Sequence, residues 1–133
     1  MRAQIFIDAL HAIEQRGDLA PMIALYDDAA ELTNPNEPAP LRGREGAEHF
    51  WRVYRDSFAQ IESTFRQVLE SERGALLEWT STGRLATGAD LRYDGVTALE
   101  WEGDRLRRFR AYFDPRDVTV AVDGTGTRPT SGT

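Results

Sequence analysis

Residues 93–113 read YDGVTALEWEGDRLRRFRAYF, and their period decides the fold. Tyr93, Gly95, Thr97, Leu99 and Trp101 fall on one side of an extended chain, with Asp94, Glu100 and Glu102 on the other. After the turn at Glu102, Gly103 and Asp104 the alternation resumes, with Phe109, Ala111 and Phe113 set against Arg108, Arg110, Tyr112 and Asp114. A period of two on both sides of a Gly-containing turn predicts an antiparallel hairpin with one apolar and one charged face.

The same period runs upstream. Ala75, Leu77, Trp79, Ser81 and Gly83 alternate with Glu78, Thr80, Thr82 and Arg84. Ile61, Ser63, Phe65, Gln67 and Leu69 alternate with Glu62, Thr64, Arg66 and Glu70. The segments SERG and ATGAD between the strands carry turn chemistry. A bulge in the strand over 60–71 would turn Glu62, Arg66 or Glu70 inward.

Before residue 60 the period lengthens to that of a helix. Ala47, Phe50, Trp51, Tyr54 and Phe58 form one apolar stripe after Gly43. Ile5, Phe6, Ala9, Leu10 and Ile13 form another, with Asp8, His11, Glu14 and Gln15 on the other side. Gly17 is placed to end that helix and Asp18 to cap a second one, which carries Leu19, Met22, Ile23, Leu25 and Tyr26 and has Pro21 in its first turn. Asp27 and Asp28 close it. A short strand over 31–34 follows, and Pro35, Pro38 and Pro40 then bar any regular element. The order predicts an α+β fold: three N-terminal helices packed in a curved, mostly antiparallel sheet. One domain spans 1–117, and VTVAVDGTGTRPTSGT, 118–133, is a flexible tail.

The totals narrow the chemistry. The chain has 133 residues, a net charge of −6 and no cysteine. One domain of this length buries a real core. Disulfides, thiolate catalysis and zinc–cysteine sites are excluded. Every basic residue is arginine, so no lysine Schiff base can form. An acidic domain is a poor partner for nucleic acid, and no apolar run reaches the length of a membrane helix. The N-terminus lacks the apolar core of a signal peptide, so a cytoplasmic location is expected. His11 and His49 lie far apart and off the apolar stripes, where exposed surface histidines are expected, and neither forms part of a metal site. No metal or cofactor is expected.

In combination, RGDL at 16–19, YDDAAELTNP at 26–35, LRGREG at 41–46, YDGVTALEWEGDRLRRF at 93–109 and AYFDP at 111–115 resemble the nuclear transport factor two-like, or SnoaL-like, superfamily. The resemblance covers residues 5–117. It implies a cone, a curved mixed sheet closed at one end by helices around an apolar pocket, and homodimers through the open sheet face. Its members include ketosteroid isomerases, limonene epoxide hydrolases and polyketide cyclases, so fold alone does not assign a reaction.

Mapped residue by residue, the resemblance removes the known catalytic sets. The ketosteroid isomerase base falls on Asn34, an amide that cannot take a proton, and its two oxyanion donors fall on Leu10 and Thr97. The polyketide cyclase aspartate also falls on Thr97. The epoxide hydrolase set falls on Trp79, Ser81 and Ala111. Asn34 either hydrogen-bonds a ligand or caps the Pro-rich loop. The pocket expected from parity holds Tyr26, Leu32, Asn34, Trp51, Tyr54, Trp79, Ser81, Thr97, Leu99, Phe109, Ala111 and Phe113, with Phe58 and Trp101 beside them and no carboxylate. Aromatic walls with few polar groups suit a small flat apolar ligand, and the same side chains can equally fill a core. Glu78, Glu100, Arg108, Arg110 and Tyr112 form the outer, dimer-facing side. Three functions remain: a small apolar-molecule binder without those catalytic sets, an isomerase, cyclase or hydrolase of unassigned type acting on an apolar ring, and a dimeric scaffold whose pocket is filled by its own side chains.

Overall fold

In the computed structural model, which describes residues 2–118, the chain runs α1 (Arg2–Arg16), α2 (Ala20–Ile23), β1 (Tyr26–Thr33), β2 (Leu41–Arg42), α3 (Gly43–Ser57), β3 (Phe58–Glu70), β4 (Gly74–Leu85), β5 (Asp90–Glu102) and β6 (Arg105–Phe113). The strands form one sheet in the order β2-β1-β6-β5-β4-β3. Every neighbouring pair is antiparallel except β1 and β6, which run parallel. The predicted α+β cone is the observed one, a curved sheet wrapped on α1 and α3.

Local chemistry sets the element ends. Gly17 adopts φ 68°, and its N–H returns to the Ile13 carbonyl at 2.8 Å, which closes α1. The cap of α2 is Leu19, without a side-chain cap hydrogen bond, instead of the expected Asp18, whose Oδ1 accepts the Ala20 N–H at 3.2 Å from one residue earlier. That helix is only four residues long. The chain is already extended at Tyr26, so Tyr26, Asp27 and Asp28 belong to β1 rather than to a helix. Parallel pairing with β6, from Tyr26 opposite Leu106 to Thr33 opposite Arg110, overrides their helical spacing. The two-residue β2 after the prolines was not expected; it pairs Leu41 with Leu32.

The strand over 60–71 contains the bulge that the sequence left open. Phe65 lies opposite Trp79, but Gln67 lies opposite Glu78, so Arg66 is the extra residue. Beyond it Val68 packs on the core while Leu69 is exposed. Glu70 turns toward α1, where its carboxylate accepts the Ala3 N–H at 3.3 Å.

The main core joins α1 and α3 to the sheet through Phe6, Leu10, Trp51, Leu77, Leu99 and Phe109. A second cluster gathers Phe58, Ile61, Trp79, Tyr93 and Val118. Val118 is therefore buried, although the tail was expected to start there; the rest of that expected tail, 119–133, lies outside the described residues. Phe58 begins β3 instead of ending the helix stripe, and Ile5 is about half exposed instead of facing the core.

Candidate functional site

A cavity of about 60 Å3 lies between α1, α3 and the inner face of the sheet. Of the twelve residues assigned to a pocket, nine line it: Asn34, Trp51, Tyr54, Trp79, Ser81, Thr97, Phe109, Ala111 and Phe113. Tyr26, Leu32 and Leu99 do not. Tyr26 and Leu32 are fully buried and Leu99 nearly so, all within the main core. The Tyr26 hydroxyl is used inside that core, where it accepts the Trp51 indole N–H at 3.1 Å. Trp101 lies on a separate, mixed-charge surface groove with Arg73, Arg107 and Glu102, and the Arg2 guanidinium sits 5.1 Å from its ring centre.

The walls are aromatic and interlocked edge to face. Trp51 meets Phe109 at 5.3 Å and Tyr54 at 5.2 Å, and Tyr93 meets Trp79 at 5.3 Å and Phe113 at 5.4 Å. Trp79 can lie across the sheet because residue 95 has no side chain. A Cβ there would stand 2.5 Å from the indole and 2.7 Å from the Tyr112 carbonyl. The Trp79 N–H donates to Thr97 Oγ1 at 2.9 Å, so two residues at mapped catalytic positions satisfy each other.

Asn34 does what an amide before a proline does in turns. Its Oδ1 accepts the N–H groups of Asn36 at 2.8 Å and Glu37 at 3.1 Å, which holds the start of the Pro-rich loop. The side-chain carbonyl is thereby committed, and the amide has only N–H donors left to offer the cavity that Asn34 lines.

The polar end of the cavity was not foreseen as such. Ser63 and Tyr93 line it with Ser81 and Tyr54, and behind them stands Glu14. Its Oε2 accepts the Tyr54 hydroxyl at 2.7 Å and the Ser63 hydroxyl at 2.6 Å, and its Oε1 accepts the Ser63 N–H at 3.0 Å. Ser63 and Ser81 share a hydroxyl contact of 2.6 Å, and Tyr93 lines the cavity with them. Burial holds the Glu14 carboxyl above the usual carboxylate range; the Ser63 and Tyr54 donors and the nearby His11 oppose that rise without cancelling it. Burial also raises the Tyr54 and Tyr93 hydroxyls, and the Glu14 charge raises them further.

The sequence placed Glu14 and His11 on the outer side of the first helix, but both side chains turn toward β3. Ala3, Ile7, Leu10 and Glu14 share one stripe at helical spacing, and the sheet wraps more than one side of α1. His11 is partly buried, within 3.1 Å of the Ser63 carbonyl and 6.1 Å of the Phe65 ring centre. His49 is exposed. Among the described residues no group of three or more His, Asp or Glu is placed to hold a metal ion. None of their helices is long and apolar enough to cross a membrane.

On the outer sheet face Glu100 pairs with Arg110 at 2.6 Å and Arg108 at 3.4 Å. Glu78 and Tyr112 are exposed there, together with Leu69 and Leu76.

The model of the SnoaL-like domain matches residues 6–109. The chain belongs to this family. Solved structures agree in fold. An NTF2-like protein from Anabaena variabilis superimposes with a TM-score of 0.77 at 17% identity, over 85% of this chain and 87% of that one. An NTF2-like protein of unknown function from Burkholderia pseudomallei gives 0.76 at 19% identity, over 90% and 98%. An LEH-like epoxide hydrolase from M. tuberculosis gives 0.68 at 18% identity, over 87% and 82%. These similarities establish the NTF2-like fold of this SnoaL-like domain. No curated protein sequence matches the chain.

Proposed function

We propose that this SnoaL-like domain binds a small apolar ring molecule in the cone interior, and that it does so as a cytoplasmic homodimer. One observation carries the binding reading. The cavity wall is largely aromatic, and three of its few polar groups, Tyr54, Ser63 and Ser81, form one hydrogen-bonded set with Glu14. Such a site holds a ring by shape and orients it by a single polar contact. At about 60 Å3 it is smaller than the ~150 Å3 cavity that takes up benzene, so even one small ring enters only as wall side chains move apart. The homodimer is supported by the outer sheet face, where Leu69, Leu76 and Tyr112 are each about half exposed around the Arg110–Glu100 pair. The cysteine-free composition fits a reducing compartment.

Thermal melts with benzene, toluene, phenol and indole test the binding reading. A saturable rise in Tm is expected with the single-ring compounds. Ala111→Leu, which fills the cavity from β6, is expected to abolish that rise while the chain still folds. The small volume also favours a second reading, a dimeric scaffold whose cavity is filled by its own side chains. No Tm response to any ring compound, with a dimer in sedimentation, would select the scaffold.

A further inference from the structure

The hydroxyl groups around Glu14 have a direction. As an ionised carboxylate Glu14 can only accept, and it accepts from Tyr54 and Ser63. Ser63 has one hydroxyl hydrogen and gives it to Glu14. The 2.6 Å contact between Ser63 and Ser81 must then run from Ser81 to Ser63. Ser81 has spent its hydrogen in turn and keeps only lone pairs to offer the cavity that it lines with Tyr93. The Tyr54, Ser63 and Ser81 hydrogens thus all run toward Glu14, so at this end the cavity meets the lone pairs of Ser81, while the Asn34 N–H groups and the Thr97 hydroxyl lie outside this set. The nearest indole donor, on Trp79, is committed to Thr97.

We infer that the cavity selects a ring bearing a hydroxyl donor, a phenol or an enol, whose O–H is accepted by Ser81, and that Glu14 is the positioning residue that, through Ser63, turns the Ser81 hydroxyl into an acceptor. The inference rests on the binding reading above and sharpens it from any small ring to a hydroxylated one. An isosteric ring without the O–H would leave the free lone pairs of Ser81 unpaired against an apolar surface, which is penalised. Neutralising Glu14 reverses the selection. A protonated carboxyl or an amide donates as well as accepts, so the Ser63 and Ser81 hydrogens are freed to point into the cavity.

The test compares phenol with toluene, which has the same shape and no donor, by calorimetric titration of the full chain and of Glu14→Gln. Wild type is expected to bind phenol about tenfold or more tightly than toluene, and the variant to lose most of that preference while still binding toluene. The preference in wild type is also expected to fall as pH drops and Glu14 takes a proton. The ionisable groups facing that carboxyl are His11 on its own helix, Tyr54 from α3 and Tyr93 from β5. His11 is the one basic group among them, so the acid titration is repeated on His11→Gln, which is expected to keep the effect. This arm holds even where the Glu14 variant does not fold. Equal or tighter binding of toluene to wild type, or an unchanged preference in Glu14→Gln, would overturn the inference and leave the ring-binding reading standing. Failure of both compounds to bind would overturn both.

Discussion

At the scale of single residues, Glu14 is the group on which the account turns. Its carboxyl is held above the usual carboxylate range because burial outweighs its donors. Between the unfolded and folded pKa values the native chain therefore holds a proton that the unfolded chain has released. Stability falls as pH rises through that window and levels off above it. Melting wild type and Glu14→Gln in parallel should show wild type gaining on the variant as pH falls through the acid range. Parallel curves would mean that Glu14 titrates normally. Ser63→Ala removes a hydroxyl bond to a charged acceptor but leaves the Ser63 N–H in place, and is expected to cost about 1–3 kcal/mol in chemical denaturation. Asn34→Asp should keep the loop, since a carboxylate accepts the Asn36 and Glu37 N–H groups as readily as the amide does. A melt within about 0.5 kcal/mol of wild type is expected.

At the scale of elements, the alternation after residue 60 carried most of the fold. Trp79, Ser81, Thr97, Ala111 and Phe113 face the cavity as their parity requires. Legibility failed where an element is touched on more than one side or changes its count. An amphipathic reading of α1 assumes one wet face, yet both Ile7 and Ala12 are buried, and Glu14 and His11 fall in the partly enclosed margin. The Leu10 to Glu14 spacing was the available signal. The bulge at Arg66 shifts the parity of Val68 and Leu69, and no residue type announced it. Tyr26 has helical spacing to Met22 but is claimed by β6, a partner some eighty residues away that no local pattern shows. Gly95 has meaning only across the sheet. Gly95→Ala drives a methyl into the Trp79 indole and the Tyr112 carbonyl, and should destabilise the chain by about 1–3 kcal/mol in urea while shifting the Trp79 indole N–H resonance.

At the scale of the whole molecule, the sheet divides two tasks. Its inner face and two helices enclose the cavity, and its outer face presents Leu69, Leu76 and Tyr112 around a paired Arg110. A charge at Leu76, as in Leu76→Glu, is expected to convert a dimer to a monomer in sedimentation velocity without moving the ring-binding response, because the two faces share no side chain. The most direct measurement of the central claim uses the three tryptophans as reporters in a proton–nitrogen spectrum during titration with phenol. Trp51 and Trp79 line the cavity and Trp101 lies in the outer groove. Saturable shifts of the Trp51 and Trp79 indole signals and of the Ser63 amide are expected, with Trp101 unmoved. Shifts confined to Trp101, or none at all, would contradict it.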